Sequence, residues 1–120
     1  MSYAAREIVA SAARTVSGNS AAVPAGGAVS YGRPDTIALA VNVTASSGTS
    51  PSMAIGVEWS LDGTNFLAAD PADAFTAAFT ANGGKVKLFN VLAAMYRIVW
   101  TISGTTPSFT FTVHELADVD

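Results

Sequence analysis

The sequence predicts an all-β fold, an antiparallel β-sandwich of seven to eight strands with jelly-roll or immunoglobulin-like topology. Large apolar residues recur at every second position in several short segments, which is the period of strands with one buried face. Turn residues separate these segments, and few stretches show a helical period. Short strands that follow one another with turns between them are typical of a sandwich.

Four segments show this alternation most clearly. The two tryptophans, Trp59 and Trp100, lie in the apolar rows, so we expect both to pack in the core between two sheets. The rows are Ile37, Leu39, Val41 and Val43 in 36–45; Met53, Ile55, Val57 and Trp59 in 53–60; Tyr96, Ile98, Trp100 and Ile102 in 95–103; and Phe109, Phe111 and Val113 in 108–116.

A six-residue motif occurs twice, as SGTSPS at 47–52 and as SGTTPS at 103–108. In the first copy Gly48 permits positive φ, while Pro51 holds Ser50 extended and removes a backbone donor. We interpret each copy as the connection of a β-hairpin. Superimposing the two copies aligns Met53, Ile55 and Val57 with Phe109, Phe111 and Val113. Beyond the motif and this apolar row the halves do not match, so we expect no repeat architecture.

The region between these hairpins contains two turn signals and one ambiguous segment. Asp62-Gly63 is a common two-residue hairpin turn and leads to a short strand near 65–69. In 70–84, Asp70 as N-cap with Phe75 and Phe79 four residues apart fits a helix. Alternation over 74–80, followed by Asn82-Gly83 and a strand at 85–90, fits a hairpin, and we favour this second interpretation.

We expect residues 1–120 to form one domain, in which 1–35 provide an edge strand near 7–16 and an extended arm. In 6–15 the large apolar residues are Ile8 and Val9, and they are adjacent, so no helical stripe is formed. The stretch 18–35 is small, polar and interrupted by glycine and proline, which favours an arm.

Composition excludes several classes of function. Charged residues are 12% of the chain, against about 25% in typical domains, and a surface with few charges favours contact with neighbours. The six Lys and Arg residues are scattered and form no basic stripe, so we expect no nucleic-acid partner. There is no cysteine, no signal-peptide core near the N-terminus, and no apolar run long enough for a membrane span.

No catalytic motif is evident, and we expect no enzyme, cofactor or metal. His114 is out of phase with the apolar row before it, which places it on the outer face, and no G-x-S-x-G is present. Asp62, Asp70 and Asp73 match no EF-hand spacing, so turn formation is the plainer interpretation. Tyr3 and Tyr31 lie outside the apolar rows and are available for stacking on a sugar.

The segments VEWSLDGTNF (57–66) and YRIVWTISGTTPSFTFTV (96–113) resemble small β-sandwich proteins of tailed bacteriophage particles, most of all capsid decoration (cement) proteins. The resemblance covers 36–66 and 85–113. It implies a structural virion protein, made in the host cytoplasm, that binds the major capsid protein at the capsid surface as an oligomer, commonly a homotrimer. The alternative is a carbohydrate- or receptor-binding module of a phage tail.

Under this resemblance the partner contacts are expected in the N-terminal segment and the arm, at Ile8, Val9, Val23, Tyr31 and Arg33. Both outer faces of the sandwich are small and neutral in sequence, so neither is favoured as the binding face.

Overall fold

The structure is a computed structural model that describes residues 3–26 and 35–118, and within these residues it contains strands and no helix. Every strand pairing is antiparallel. In the same residues no helix is long and apolar enough to cross a membrane. The seven strands are β1 (Tyr3–Arg14), β2 (Gly18–Asn19), β3 (Val23–Pro24), β4 (Thr36–Ser60), β5 (Leu67–Ala74), β6 (Gly83–Asn90) and β7 (Met95–Asp118).

β4 and β7 are long strands, and each of them belongs to both sheets of the sandwich. The first half of β4 lies between β6 and the second half of β7, and β1 completes this first sheet. The second half of β4 lies between β5 and the first half of β7, with β2 and β3 at the far edge of this second sheet. The strand orders are therefore β1-β7-β4-β6 and β2/β3-β7-β4-β5.

The order of pairing identifies the topology. If each half of β4 and of β7 is counted as one segment, and β2 and β3 together are counted as one, the chain has eight successive segments. The first pairs with the eighth, the second with the seventh, the third with the sixth and the fourth with the fifth. This nested pairing is the jelly-roll arrangement. The predicted antiparallel β-sandwich is confirmed, and the jelly roll is the one of the two proposed topologies that is found.

The repeated motif lies in the middle of β4 and of β7, where both strands cross from one sheet to the other. The two copies pair with each other, with Thr49 opposite Thr105. Gly48 and Gly104 have φ angles of +110° and +118°, and a Cβ on either would lie 2.7 Å or 2.8 Å from a backbone oxygen of the opposite copy. A side chain would be strained and would clash there, so each copy requires its glycine.

The two predicted hairpins, 37–45 with 53–60 and 95–103 with 108–116, are therefore wrong. Each motif bends one continuous strand, and the strand halves on its two sides belong to different sheets. The sequence correspondence between the two copies reflects a pseudo-two-fold relation about the crossing, because β4 pairs along its length with the equivalent and oppositely directed β7. The same sequence feature serves one crossing, not two turns.

The alternating rows form the core between the sheets, as predicted. Trp59 and Trp100 are only 4% and 5% exposed, which confirms their expected position. Aromatic contacts also join elements across the core: the ring centroids of Phe75 and Phe89 are 5.8 Å apart, and those of Trp100 and Phe111 are 5.5 Å apart. Such pairs contribute about 0.5–1.5 kcal/mol each beyond the burial of their surface.

The region between β4 and β6 differs from the prediction in its boundaries. β5 occupies 67–74, and the expected strand at 74–80 is reduced to a single bridge between Phe79 and Met53. Both Phe75 and Phe79 are buried, so their alternation reports burial of two rings and not a continuous ladder. No helix forms in 70–84, in agreement with the favoured interpretation.

The hairpin predicted at Asn82-Gly83 is also wrong. β6 begins at Gly83, but its partner is the first half of β4, with Ala38 opposite Leu88. The Asn82 side chain instead ties this end of β6 to β4, because its amide donates to the Thr44 carbonyl at 3.1 Å. A long-range pairing has replaced the local one that the dipeptide favours.

β1 pairs with β7 at the edge of the first sheet, as predicted for an edge strand, and it begins earlier than expected. Two irregularities interrupt its register, one between Glu7 and Val9 and one between Val9 and Ala12. Within the predicted arm, β2 and β3 make two short pairings with β7. These pairings attach the beginning of the arm to the second sheet.

Candidate partner-binding surfaces

Three of the five residues predicted to contact a partner lie in the described part of the chain. Ile8 on β1 and Val23 on β3 are half-buried and pack against the core, so part of each side chain remains at the surface. Val9 is buried and its side chain is part of the core. Tyr31 and Arg33 lie outside the described residues.

The loop 91–94 holds the residues on both sides of the undescribed stretch 27–34. The backbone N–H of Ala25 donates to the Ala94 carbonyl at 3.0 Å, and the N–H of Val91 donates to the Asp35 carbonyl at 2.9 Å. Ala25 is also buried in the core. The loop 91–94 therefore holds Ala25 and Asp35, on the two sides of 27–34, at the same end of the sandwich.

A buried carboxylate lies beneath this end of the sandwich. Glu115 is 1% exposed, and its oxygens accept from Arg6 Nε and Nη2, each at 3.0 Å. The same carboxylate accepts the Gly26 backbone N–H at 3.2 Å and a hydrogen bond from the Tyr96 hydroxyl. Arg6 also donates to the Pro24 carbonyl. A buried charge is stable only with such a set of donors, and here they come from β1, β7 and the start of the arm.

The protons of this network are held firmly. Burial raises the pKa of the Tyr96 hydroxyl, and its hydrogen bond to Glu115 raises the pKa further. Burial alone would lower the pKa of Arg6, but the hydrogen bond and the charge of Glu115 outweigh it and the pKa is raised. Tyr96 and Arg6 therefore keep their protons near neutral pH, and we assign the network a structural role.

The outer face of the first sheet carries three large apolar side chains at its surface: Val86, Leu88 and Leu116, which are 72%, 64% and 45% exposed. The strand register places them in two rows that cross the sheet with small residues between them. We call this surface the apolar face: its rows are Leu88, Ala38, Leu116 and Ala5, and then Val86, Ala40, His114 and Glu7.

β6 shows an inverted pattern that creates this face. Phe89 is buried, and because side chains alternate, Lys87 and Lys85 lie on the inner side of the strand. Lys87 Nζ lies 5.4 Å from the Phe89 ring centroid and donates to the Ala74 carbonyl at 2.5 Å. Val86 and Leu88 consequently point to solvent. An inward lysine on an edge strand opposes the addition of a further strand at the β6 edge.

A second apolar surface lies at the end of the sandwich. A cleft of about 350 Å³ is bordered by three exposed leucines, Leu61, Leu67 and Leu92, with Trp59 in its lining. Its polar border is the turn at Asp62, whose carboxylate accepts the backbone N–H groups of Thr64 at 2.9 Å and Asn65 at 2.8 Å. We call this surface the leucine cleft.

Two of the three aspartates that were compared with an EF-hand, Asp62 and Asp73, have separate structural roles. The Asn65 and Thr64 hydrogen bonds hold the pKa of Asp62 well below its usual range, as expected of a turn-forming carboxylate. Asp73 accepts the Trp59 indole N–H at 2.8 Å. Across 3–26 and 35–118 no group of three or more acidic or histidine side chains is arranged to hold a metal ion.

Aromatic stacking surfaces are scarce in the described residues. Trp59 and Trp100 are buried, and Phe66 is half-buried under the Arg97 guanidinium, which lies 4.3 Å from its ring centroid. His114 is exposed on the outer face, as predicted, with Nε2 3.8 Å from Glu7 Oε2.

Sequence reasoning missed the residues that dominate these surfaces. It does not select Leu88 or Leu116 as exposed residues, nor Glu115 as a buried group. One signal was available: Leu116 shares the phase of exposed His114, and Leu88 is out of phase with Phe89, so period-two alternation places both outside.

Comparison with known proteins yields only loose structural likenesses. No family model matches the sequence, and no curated protein matches it. The chain is similar to a chain in a structure of infectious bursal disease virus, Gx strain, with a TM-score of 0.46 and 12% identity over 96% of this chain. It spans 31% of the length of that viral chain. It is also similar to the Tobacco streak virus coat protein, with a TM-score of 0.43 and 12% identity over 98% of this chain and 87% of that one.

These likenesses are to proteins of virus particles. Both TM-scores are below 0.5.

Proposed function

We propose that this protein is a structural virion component, a bacteriophage capsid decoration protein that binds the shell surface as an oligomer and stabilises it. The protein acts by contact and not by catalysis. Its partner is the major capsid protein, and its location is the outer surface of the virion. The jelly roll is compatible with this role, since the fold occurs in viral capsid domains as well as in lectins.

The apolar face is the observation that carries the proposal. A chain with 12% charged residues that also exposes Val86, Leu88 and Leu116 on one face of a sheet is suited to an assembly, because such a surface loses contact with water when a neighbour covers it. The polar groups beneath the surface are already used by the Glu115 network, which favours a rigid building block.

Contact with the shell is proposed at the N-terminal segment and the arm. Ile8 and Val23 are partly exposed next to the arm, and the residues that flank 27–34 are fixed to the body of the protein. Tyr31 and Arg33 lie between these fixed points in sequence. Many copies bound to a regular lattice hold firmly even when each contact is modest, because binding of linked copies is multivalent.

Cosedimentation with capsids tests the proposal. Shells that lack their decoration are mixed with increasing amounts of the protein and pelleted, and the bound fraction is measured together with the temperature at which DNA is released. We expect saturable binding and a higher release temperature. The double variant Tyr31→Ala/Arg33→Ala should bind at least tenfold more weakly, while Leu61→Glu, at the leucine cleft, should bind as the wild type does. A protein that stays in the supernatant at all concentrations contradicts the proposal.

The tail-module alternative makes a different prediction. It requires an exposed aromatic platform, and with both tryptophans buried the remaining candidates are Tyr3 and Tyr31. Binding to a glycan array that is lost in Tyr31→Ala, without binding to shells, would support that alternative.

A further inference from the structure

The apolar face has a regular pattern of side-chain size across its strands. Large residues stand on β6 and β7, and alanines stand on β4 and at Ala5 of β1, so the first row reads Leu88, Ala38, Leu116, Ala5. The second row has the same order of side-chain size over its first three positions: Val86 is large, Ala40 is small and His114 is large. The face thus carries two ridges with a furrow along β4 between them.

Such a pattern is complementary to itself under one kind of two-fold rotation. With an axis parallel to the strands and between β4 and β7, β4 of each copy faces β7 of the other, and β6 faces β1. Leucine then meets alanine: Leu88 lies against Ala5 of the second copy, and Ala38 lies against its Leu116. An axis across the strands would instead set leucine on leucine and leave a gap over each alanine, which close packing disfavours.

We propose that a second copy of this chain covers the apolar face, in a two-fold pair whose axis runs along the strands between β4 and β7. Closed two-fold pairs use the same patch on both subunits, and here the patch fits its own image. Two sheets in face-to-face contact pack in a nearly aligned orientation, which agrees with an axis parallel to the strands.

Polar groups at the border of the face agree with this arrangement. The next row places Asn42 beside Thr112, and the rotation brings the Asn42 amide of one copy opposite the Thr112 hydroxyl of the other. Glu7 stands on the edge strand β1, opposite Val86 of the second copy, where its carboxylate stays at the rim in reach of water. Among the described side chains of these rows Glu7 is the one carboxylate, and it lies at the rim of the contact, while His114 on β7 faces Ala40 of the second copy.

The area is sufficient for a modest dimer. Four strands about 4.8 Å apart and outward residues over 36–44 at about 3.4 Å per residue define a face of roughly 20 Å by 27 Å. This is about 550 Å² on each copy, so the pair buries about 1,100 Å², just above the roughly 1,000 Å² expected of a specific interface. We expect dissociation in the micromolar range.

The pair is two-fold, so it replaces the homotrimer that the sequence resemblance implies. The two-fold pair does not depend on the proposed virion function. A dimer that does not bind capsids would support the pair and contradict the proposed function, whereas a monomer that binds capsids would contradict only the pair.

Sedimentation equilibrium tests the pair over a concentration range of roughly 1 µM to 500 µM, which brackets micromolar dissociation. We expect the mass to rise with concentration to twice the 12.2 kDa of one chain. Leu88→Glu should weaken association at least tenfold, and Leu61→Glu, an equally polar change at a more exposed leucine, should leave it unchanged. Circular dichroism of each variant verifies that the fold is retained.

A size swap tests the register without any charge. Ala38→Leu fills the furrow and should weaken association at least tenfold, because it collides with Leu116 of the second copy. Adding Leu116→Ala removes the collision and should restore part of the affinity. A chain that stays monomeric, a trimer, or a dimer that Leu61→Glu abolishes and Leu88→Glu does not, each overturns the proposal.

Discussion

The outer faces of the two sheets differ, although in sequence both are small and neutral. On the second sheet Arg97 Nη2 lies 2.7 Å from Glu58 Oε1, and the same guanidinium covers the Phe66 ring. The first sheet instead presents Leu88 and Leu116 to water. Large side chains are thus paired or covered on the second face and exposed to water on the first.

The difference indicates which face would gain more from being covered. On the second sheet a charged group satisfies its counter-ion and covers an aromatic ring, so little is gained by further burial. On the first sheet each large apolar side chain would gain about 1–2 kcal/mol if fully covered, because it is already partly buried. The cause lies in β6, because Phe89 occupies the core and strand alternation then directs Leu88 outward.

The largest expected effect concerns the ion pair inside the sandwich, compared with the one on the second outer face. Glu115→Ala leaves Arg6, Tyr96 and the Gly26 N–H without their acceptor. We expect the free energy of unfolding to fall by about 3 kcal/mol. This is the lower end of the range for a broken buried ion pair, because Arg6 is partly exposed. Glu58→Ala removes an equivalent but more exposed partner and should cost less than about 1 kcal/mol. Urea unfolding of both variants measures the difference, and equal losses would contradict the assigned roles.

The next effect concerns the crossing that joins the two sheets. Gly48→Ala combines a positive φ with a Cβ 2.7 Å from the Thr106 carbonyl oxygen, so we expect a loss of at least about 2 kcal/mol. Gly83→Ala is the matched control, since its φ is also positive but nothing lies within 4 Å of the added Cβ. Thermal unfolding measures both variants. If the melting temperature of Gly83→Ala is equal to or lower than that of Gly48→Ala, the crossing is not tightly packed.

A smaller change should make the second face resemble the first. The double variant Glu58→Leu/Arg97→Leu removes the ion pair, and the free energy of unfolding should change by less than about 1 kcal/mol because both side chains are partly exposed. The new apolar surface should add self-association beyond the two-fold pair, visible as a light-scattering mass above that of two chains. If the variant associates no further than the wild type, exposed apolar area is not what distinguishes the two faces.

The smallest effect lies between the faces, at the turn that borders the leucine cleft. The pKa of Asp62 is depressed in the folded protein, so its contribution to stability is complete above the unfolded pKa of about 3.9 and is lost as the pH falls toward the folded value. When the pH is lowered from 6 to 3, the melting temperature of Asp62→Ala should therefore fall by less than that of the wild type. Parallel curves for the two proteins would contradict the depressed pKa.

Period-two alternation was enough to predict the composition of the core. The rows ending in Trp59 and Val113 are buried as expected, because alternation is a local property that the sequence records directly. Strand pairing is not local. The glycines of the repeated motif have the conformations of turn residues, yet they serve a crossing between two strands that are far apart in the chain, and nothing in either copy alone distinguishes the two uses.

The candidate surface was harder to predict, for two reasons that involve particular residues. The irregularity between Glu7 and Val9 shifts the phase of β1, so of two adjacent apolar residues Val9 enters the core and Ile8 stays half-exposed. In β6 the usual assignment of lysine to water and of valine and leucine to the core is reversed by Phe89. The β1 irregularity depends on a tertiary pairing that a single sequence does not reveal, and the alternation in β6 indicates the outward position of Leu88 only once Phe89 is known to be the core residue.

Methyl chemical shifts of leucine and valine, recorded by NMR from dilute to concentrated protein, test most directly the claim that the outer face of the first sheet is the binding surface. We predict that concentration-dependent shifts are confined to Val86, Leu88 and Leu116. Shifts at Leu61, Leu67 and Leu92 with none on the first sheet would assign binding to the leucine cleft and contradict the account.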